Sequence, residues 1–198
     1  MKGSLEILHD EFPEGHDKRE FLEILKKEID RLNGVLNEFL QFARPPRPER
    51  QPCDVSEVLE SIRVLCSNEA SRAGVSIAVS SAEGVPEIRA DAGQLQQALL
   101  NVVLNGIQAM PSGGHLAVSL AHQNGELEVR VTDAGGGVPE GDRGRVFDPF
   151  FTTKDRGTGL GLPIAHQLVQ GHGGDIRIEN AEPRGASFVV TLPLHGDN

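Results

Sequence analysis

The sequence predicts an α+β protein: an α/β sandwich, with a mixed sheet carrying helices on one face, preceded by a helical hairpin. Three observations carry this. In the first part, apolar residues recur at alternating spacings of three and four, the period of a helix. In the rest, short stretches that alternate apolar and polar residues, the period of a strand, are interleaved with helical stretches. The chain's 23 glycines concentrate between positions 135 and 174, around the last helical stretch.

The first part comprises residues 1–44. Leu22, Leu25, Ile29, Leu32, Leu36, Phe39 and Ala43 form a heptad seam held for three repeats. Phe21, Ile24, Val35 and Phe42 widen that apolar face, which suits a bundle better than a two-stranded coil. Ahead of it, Leu5-Glu6-Ile7-Leu8 reads as a short helical piece, and Pro13-Glu14-Gly15-His16-Asp17 as a turn ending in the helix cap Asp17. One such hairpin cannot bury its own seam, so a second copy is expected against it as a homodimer; the alternative is packing on the chain's own C-terminal part. Arg44-Pro45-Pro46-Arg47-Pro48 ends the helix and opens a proline-rich linker, residues 45–53.

Residues 54–198 form the second part. Asp54 caps a helix, with Glu57 at the capping-box position, and Val58, Leu59, Ile62, Leu65 and Cys66 are expected to line its inner face. Residues 75–80 alternate as a strand. Asp91 caps a second helix running to about position 110, with Leu95, Leu99, Val102 and Val103 on its apolar side. Residues 115–121 and 126–132 are two strands joined at Gln123-Asn124-Gly125, a hairpin turn signal. Leu127, Val129 and Val131 face one way, Glu128 and Arg130 the other. A helix over about 159–170 and strands over 175–179 and 186–192 close the chain.

Composition narrows the function. A formal net charge of −10 argues against a nonspecific nucleic-acid binder, although local donors and a metal ion still permit an anionic ligand. No apolar run approaches the ~20 residues of a membrane helix, and the start MKGSLEILHDE is not a secretory signal. The chain is therefore expected to be cytoplasmic, with no membrane contact of its own even if a longer parent is anchored. Cys53 and Cys66 have no CxxC spacing and read as inert thiols in a reducing compartment.

Four stretches carry chemistry. In Asp133-Ala134-Gly135-Gly136-Gly137, just past a strand, a carboxylate can accept a hydrogen bond from an exocyclic amine, and the glycines let a flat base approach the backbone. A plain turn uses the same residues. Asn101 and Asn105 lie one helical turn apart on an otherwise apolar stretch. An amide oxygen suits Mg2+, which fills its other positions with phosphate and water; two amides satisfying local groups is the alternative. Gly157-Thr158-Gly159-Leu160-Gly161-Leu162 precedes a helix, where backbone N–H groups and the dipole end favour phosphates. Lys154 and Arg156 add positive charge, while a ligand-free flexible loop would have the same composition. Val146-Phe147-Asp148-Pro149-Phe150-Phe151-Thr152-Thr153-Lys154 is rich in large apolar residues yet lies in a connection longer than ~20 residues, and this reads as an anchored, movable flap.

In this order, the asparagine pair, Asp-x-Gly-x-Gly, the Phe-rich run and Gly-x-Gly-x-Gly before a helix resemble the N, G1, F and G2 boxes of the Bergerat ATP-binding fold. That family takes in histidine kinases, gyrase, mismatch-repair ATPases and heat-shock chaperones. The resemblance covers about residues 54–194 and extends to Gly173-Gly174 and Gly185-Ala186-Ser187-Phe188. It implies ATP and Mg2+ as cofactors. On it, Asp133 binds adenine N6, Asn105 holds Mg2+, and Asn101 sits near the triphosphate. Gly135 and Gly137 shape the base pocket, and Ser187 lies near the adenine. Thr153, Lys154, Gly157, Thr158, Gly159, Leu160 and Gly161 line the phosphates, with Lys154 and Asn101 in catalytic positions. Asn105-Gly106 departs from the commoner Asn-Ala, a missing methyl expected to matter little for the ligand.

Asn101 bears on the branch. Gyrase-like and chaperone members carry a glutamate there that activates water, and asparagine cannot act as a general base. Slow hydrolysis and retention of the γ-phosphate for another acceptor resemble the histidine kinases. Glu28-Ile29-Asp30-Arg31-Leu32-Asn33 and Phe39-Leu40-Gln41-Phe42-Ala43-Arg44-Pro45 are similar to the second helix of their dimerisation and phosphotransfer domain, of the nitrogen-regulation type. A phosphoacceptor in a His-Glu-x-x-Asn-Pro setting is then expected, and none is found. His9-Asp10-Glu11-Phe12-Pro13 puts the proline one residue too close, His16 lies in the turn, and His172 reads as structural or solvated. The resemblance thus implies part of a longer sensor kinase that binds Mg·ATP without autophosphorylating. In the parent, the phosphoryl group passes to a histidine and then to a response regulator receiver domain. A degenerate nucleotide-binding module without phosphotransfer is the alternative.

Overall fold

The computed structural model describes residues 17–45, 47–154, 157–182 and 184–194, with the backbone alone for 17–19. The chain divides into two units, 1–43 and 44–198. In the first, the described residues form one helix, α1 (Asp17–Ala43), beginning where the sequence predicts the cap. Phe21, Ile24, Leu32, Leu36 and Leu40 on it are exposed. The short first arm of the expected hairpin, His9 and His16 lie outside the described residues.

The second unit runs β1 (Gln51–Cys53), α2 (Val55–Leu65), α3 (Ser67–Ala73), β2 (Val75–Ser81), β3 (Ile88–Ala90), α4 (Ala92–Gln108), β4 (Gly114–Gln123), β5 (Glu126–Thr132), a 3-10 turn at Glu140–Asp142, α5 (Gly161–Gly171), β6 (Asp175–Asn180) and β7 (Ala186–Pro193). Five strands form a mixed sheet in the order β2-β4-β5-β7-β6. β2 and β4 are parallel and the other neighbours antiparallel. β1 and β3 make a separate two-stranded antiparallel sheet. The α/β sandwich expected from the sequence is therefore present, with Leu95, Leu99, Val102 and Val103 of α4 and Ile164, Ala165 and Val169 of α5 buried in its core.

Local chemistry explains the elements. Asp54 accepts from Ser56 N at 2.8 Å and Asp91 from Gln94 N at 3.0 Å, so both aspartates cap the helices that follow. Asn124 and Gly125 take φ values of 54° and 82°, which a two-residue hairpin of matching twist requires between Gln123 and Glu126. Leu127, Val129 and Val131 of β5 and Phe188, Val190 and Leu192 of β7 are buried in register on the core face.

The opposite face closes on itself through charge. Arg130 bridges Glu128 and Glu179, and Arg177 bridges the same two carboxylates from the other side. The ring roofs Val189, which pairs with both arginine positions and is fully buried. Hydrogen bonds from Arg130 and Arg177 hold the Glu179 carboxyl below its usual value.

Two expectations shift. Leu65 is exposed rather than internal, because α2 ends there and Cys66 takes the last buried position as the chain turns into α3. Residues 51–53, at the end of the proline-rich stretch, form a strand fixed to the domain. Nearby contacts hold that segment: Glu49 N donates to Asp91 Oδ2 at 3.0 Å, and Arg50 Nη2 to Gly171 O at 2.9 Å. His172 is buried and structural, its Nδ1 donating to Leu168 O at 2.8 Å while Nε2 accepts from Asp91 N at 3.0 Å. Cys53 and Cys66 are free and buried, and burial pushes both thiols up. Among the described residues, no helix is long and apolar enough to cross a membrane.

Candidate functional site

The site gathers where α4, the end of β5 and the start of α5 meet. Asp133 follows β5 directly and points to the core side of the sheet, since Val131 does and side chains alternate. It is 3% exposed, and its Oδ1 accepts from Gly135 N at 2.8 Å and Ala186 N at 3.3 Å. A buried carboxylate held by backbone donors is fixed in orientation, and its second oxygen keeps acceptor capacity.

The glycines beside it answer to space. A Cβ on Gly135 would lie 2.6 Å from Ala109 O and 2.9 Å from Asp133 Oδ1, so no other residue fits. Gly137 has φ 78° and faces the Gly185 carbonyl. Arg184 Nε donates to Gly135 O at 3.0 Å and clips the loop from outside. At Gly106, a Cβ would lie 2.6 Å from Leu116 Cδ1 and 3.8 Å from the Asp133 Cβ. Leu116 thus fills the place of the missing methyl, behind Asp133, and the departure from Asn-Ala shapes the packing of the pocket wall.

Both asparagines project from α4 toward the site. Asn101 Nδ2 donates to Gly161 O at 3.0 Å, tying α4 to the first residue of α5. Asn105 Oδ1 accepts from Lys154 Nζ at 2.8 Å, and Gln108 Oε1 accepts from the same ammonium at 2.8 Å. Burial pushes the Lys154 ammonium below the usual lysine value, with the Asp133 charge acting in the opposite direction. Gln108 carries no motif signal in the sequence. Its position three residues after Asn105, on the same helical face, is the one feature that would have found it.

α5 begins without a side-chain cap: its N-cap position is Leu160, fully buried. α2 and α4 use aspartates there. The first N–H groups of α5 are therefore not taken by a capping carboxylate, and Pro163 has no N–H to leave unpaired. Thr158 Oγ1 accepts from Leu160 N at 3.3 Å, shaping the turn. Gly157 N donates to Lys154 O at 3.1 Å, and Lys154 N to Thr152 Oγ1 at 3.1 Å. Thr153 is exposed on the same loop, and Arg156 lies outside the described residues.

Of the three phenylalanines expected to anchor the flap, Phe147 packs its ring onto α5. Phe147 stacks on His166 of α5 at 4.8 Å, and Arg145 sits 4.4 Å over the Phe151 ring. Phe150 is exposed, has φ 67°, and donates its N–H to Gly159 O at 3.0 Å. Gly159, at φ 68°, has no room for a side chain, since a Cβ would lie 2.5 Å from Phe150 C.

Ser187 is placed elsewhere. It pairs in register with Thr132, so its side chain lies on the charged face of the sheet, with Oγ 2.9 Å from Thr132 Oγ1 and 3.4 Å from Arg130 Nη1. The neighbouring Ala186, through its backbone N–H, is what reaches Asp133. Among the described residues, no group of three or more His, Cys, Asp or Glu side chains could hold a metal ion.

Comparison with known proteins supplies the family. Residues 90–196 match the family described as histidine kinase-, DNA gyrase B-, and HSP90-like ATPase. The chain is 33% identical over 98% of its length to the sensor histidine kinase ZraS of Escherichia coli (strain K12), of which it spans 42%. Full-length ShkA, solved in complex with AMPPNP, superposes on 96% of the chain with a TM-score of 0.85 at 28% identity, the chain covering 42% of it. The mycobacterial sensor histidine kinase MprB is 31% identical over 75% of this chain and 99% of its own, with a TM-score of 0.66. The chain spans less than half the length of ZraS, yet nearly the whole of the MprB structure aligns with it, and on these matches the chain belongs to the histidine kinase-, DNA gyrase B- and HSP90-like ATPase family, in its sensor histidine kinase branch.

Proposed function

We propose that the chain binds Mg·ATP and forms the catalytic portion of a sensor histidine kinase. The observation that carries this is Asp133, a buried carboxylate with one oxygen committed to two backbone N–H groups and walled by a glycine that admits no side chain. Asp133 Oδ2 accepts the adenine amino hydrogen, and the Gly135–Gly137 turn lets the base lie against the backbone. Asn105 Oδ1 is the residue oxygen for Mg2+. A single neutral amide oxygen, with no carboxylate cluster around it among the described residues, fits an ion that arrives with phosphate and water as its other ligands. When bound, Mg2+ neutralises charge on the triphosphate. The uncapped N–H groups of α5 and the Lys154 ammonium take the remaining phosphate oxygens. Asn101 has no basic carboxylate, so water is not activated there and the γ-phosphate is kept for a histidine acceptor.

In this reading residues 1–44 belong to a dimerising phosphotransfer hairpin, 45–53 to a linker and 54–198 to the catalytic domain. The exposed apolar stripe of α1 supports a second copy of the chain as partner. A response regulator receiver domain takes the phosphoryl group onward, in the cytoplasm. The AMPPNP in ShkA, at 28% identity, supports the nucleotide.

Calorimetric titration of a nonhydrolysable ATP analogue with Mg2+ tests the site. Asp133→Asn should weaken binding at least ~10-fold, the worth of a hydrogen bond to a charged group; unchanged affinity overturns the assignment. An acceptor hairpin supplied in trans with labelled ATP should become phosphorylated. Binding without transfer would instead select a regulatory nucleotide-binding module.

A further inference from the structure

Nucleotide binding as described leaves Gln108 without a role. It is the last residue of α4, its side chain is exposed, and it shares a helical face with Asn105. Lys154 Nζ donates to both amide oxygens, at 2.8 Å each. The pair lies at the carboxyl end of α4, where the helix dipole favours a cation. We propose that Gln108 is a positioning residue that, together with Asn105, seats the Lys154 ammonium, so that Lys154 and Mg2+ are alternative occupants of Asn105 Oδ1. This rests on the reading of the site as a Mg·ATP site.

The exchange follows from charge. Two cations cannot share one amide oxygen at contact distance without strong repulsion. Loading the site therefore moves Lys154 off Asn105, and the triphosphate is then its nearest counter-charge. The ammonium sits on a turn whose backbone is closed by Lys154 N on Thr152 Oγ1 and by Gly157 N on Lys154 O, so the seat bears on the order of that turn. The flap would thus register whether the metal position is taken. Gln108 adds the second acceptor for the seated ammonium without being a metal ligand itself.

Gln108→Leu, Lys154→Met and the double variant, each in the whole chain, test this. With Mg2+ present, Gln108→Leu should bind the ATP analogue roughly fivefold tighter, because one hydrogen bond of the empty state is gone. In EDTA the gain should shrink, since only the triphosphate then draws the ammonium from Asn105. In the Lys154→Met background Gln108→Leu should have no effect. Without nucleotide, the backbone amide of Lys154, bonded to Thr152 Oγ1, should exchange faster in Gln108→Leu than in the unsubstituted chain. Weaker binding by Gln108→Leu, or a gain that survives Lys154→Met, overturns the proposal in favour of a direct contact from Gln108. Unchanged amide exchange overturns the seat whatever the nucleotide does. Failure of the unsubstituted chain to bind nucleotide removes the site assignment, and the exchange with it.

Discussion

At Gly135 the space for a methyl group is occupied by the Ala109 carbonyl and Asp133 Oδ1, whereas at Gly136, one residue on, a methyl meets nothing within 4 Å. Gly135→Ala should therefore cost about 1–3 kcal/mol of stability and displace Asp133. Gly136→Ala should be silent in thermal melting. Ser187 makes the complementary case. Its hydroxyl is bonded to Thr132 and Arg130, so Ser187→Ala should leave analogue affinity within about twofold, the expectation for a side chain on the sheet face opposite Asp133. The carboxylate was legible because an Asp before glycines after a strand has a chemical use. The choice between Ser187 and Ala186 was not, because a one-residue offset in a strand moves a side chain to the other face, and the motif alone does not reveal which face the ligand takes. Gln108 was silent for a different reason: its partner Lys154 is 46 residues away and meets it only through the fold.

Asp91 governs the element scale, since its side chain caps α4, the helix that carries Asn101 and Asn105, and also holds Glu49 N. Asp91→Ala should destabilise the domain by about 1 kcal/mol at neutral pH, as loss of an N-cap does. Burial acts to raise the Asp91 carboxyl, but the N–H groups of Gln94, Glu49 and Gly93 outweigh it and hold the folded value below the usual one. The capping contribution is thus present above the unfolded value of about 3.9 and is lost as pH falls through the lowered folded value. Denaturant titrations of both proteins should show a gap at pH 7 that narrows in acid; a gap independent of pH would contradict the cap. The longer elements declared themselves in sequence through these same aspartates, through Asn124-Gly125, and through the alternation in β5 and β7. β1 and β3, three residues each, are too short to show a period. Leu65 fits the stripe of α2 on paper, but that helix stops where its face would have continued.

For the whole molecule, the exposed stripe on α1 and the Asp133 site sit in separate units and should answer separately. Leu32→Glu combined with Leu36→Glu should convert a dimer to a monomer in sedimentation experiments, because charge in an apolar seam carries a desolvation cost with no partner. The same double variant should leave analogue affinity unchanged. A monomer before substitution would sink the seam as a dimer contact.

The anchoring of residues 49–53 to the catalytic unit has a mechanical consequence. With Glu49 held on Asp91 and Arg50 on Gly171, the tether that remains is Arg44-Pro45-Pro46-Arg47-Pro48, three of whose five residues are proline. At ~3.1 Å per residue for a proline-rich stretch, its contour is about 15 Å. Loss of the Glu49–Asp91 and Arg50–Gly171 contacts together would hand two further residues, 49 and 50, to that stretch, with no residue added to the chain.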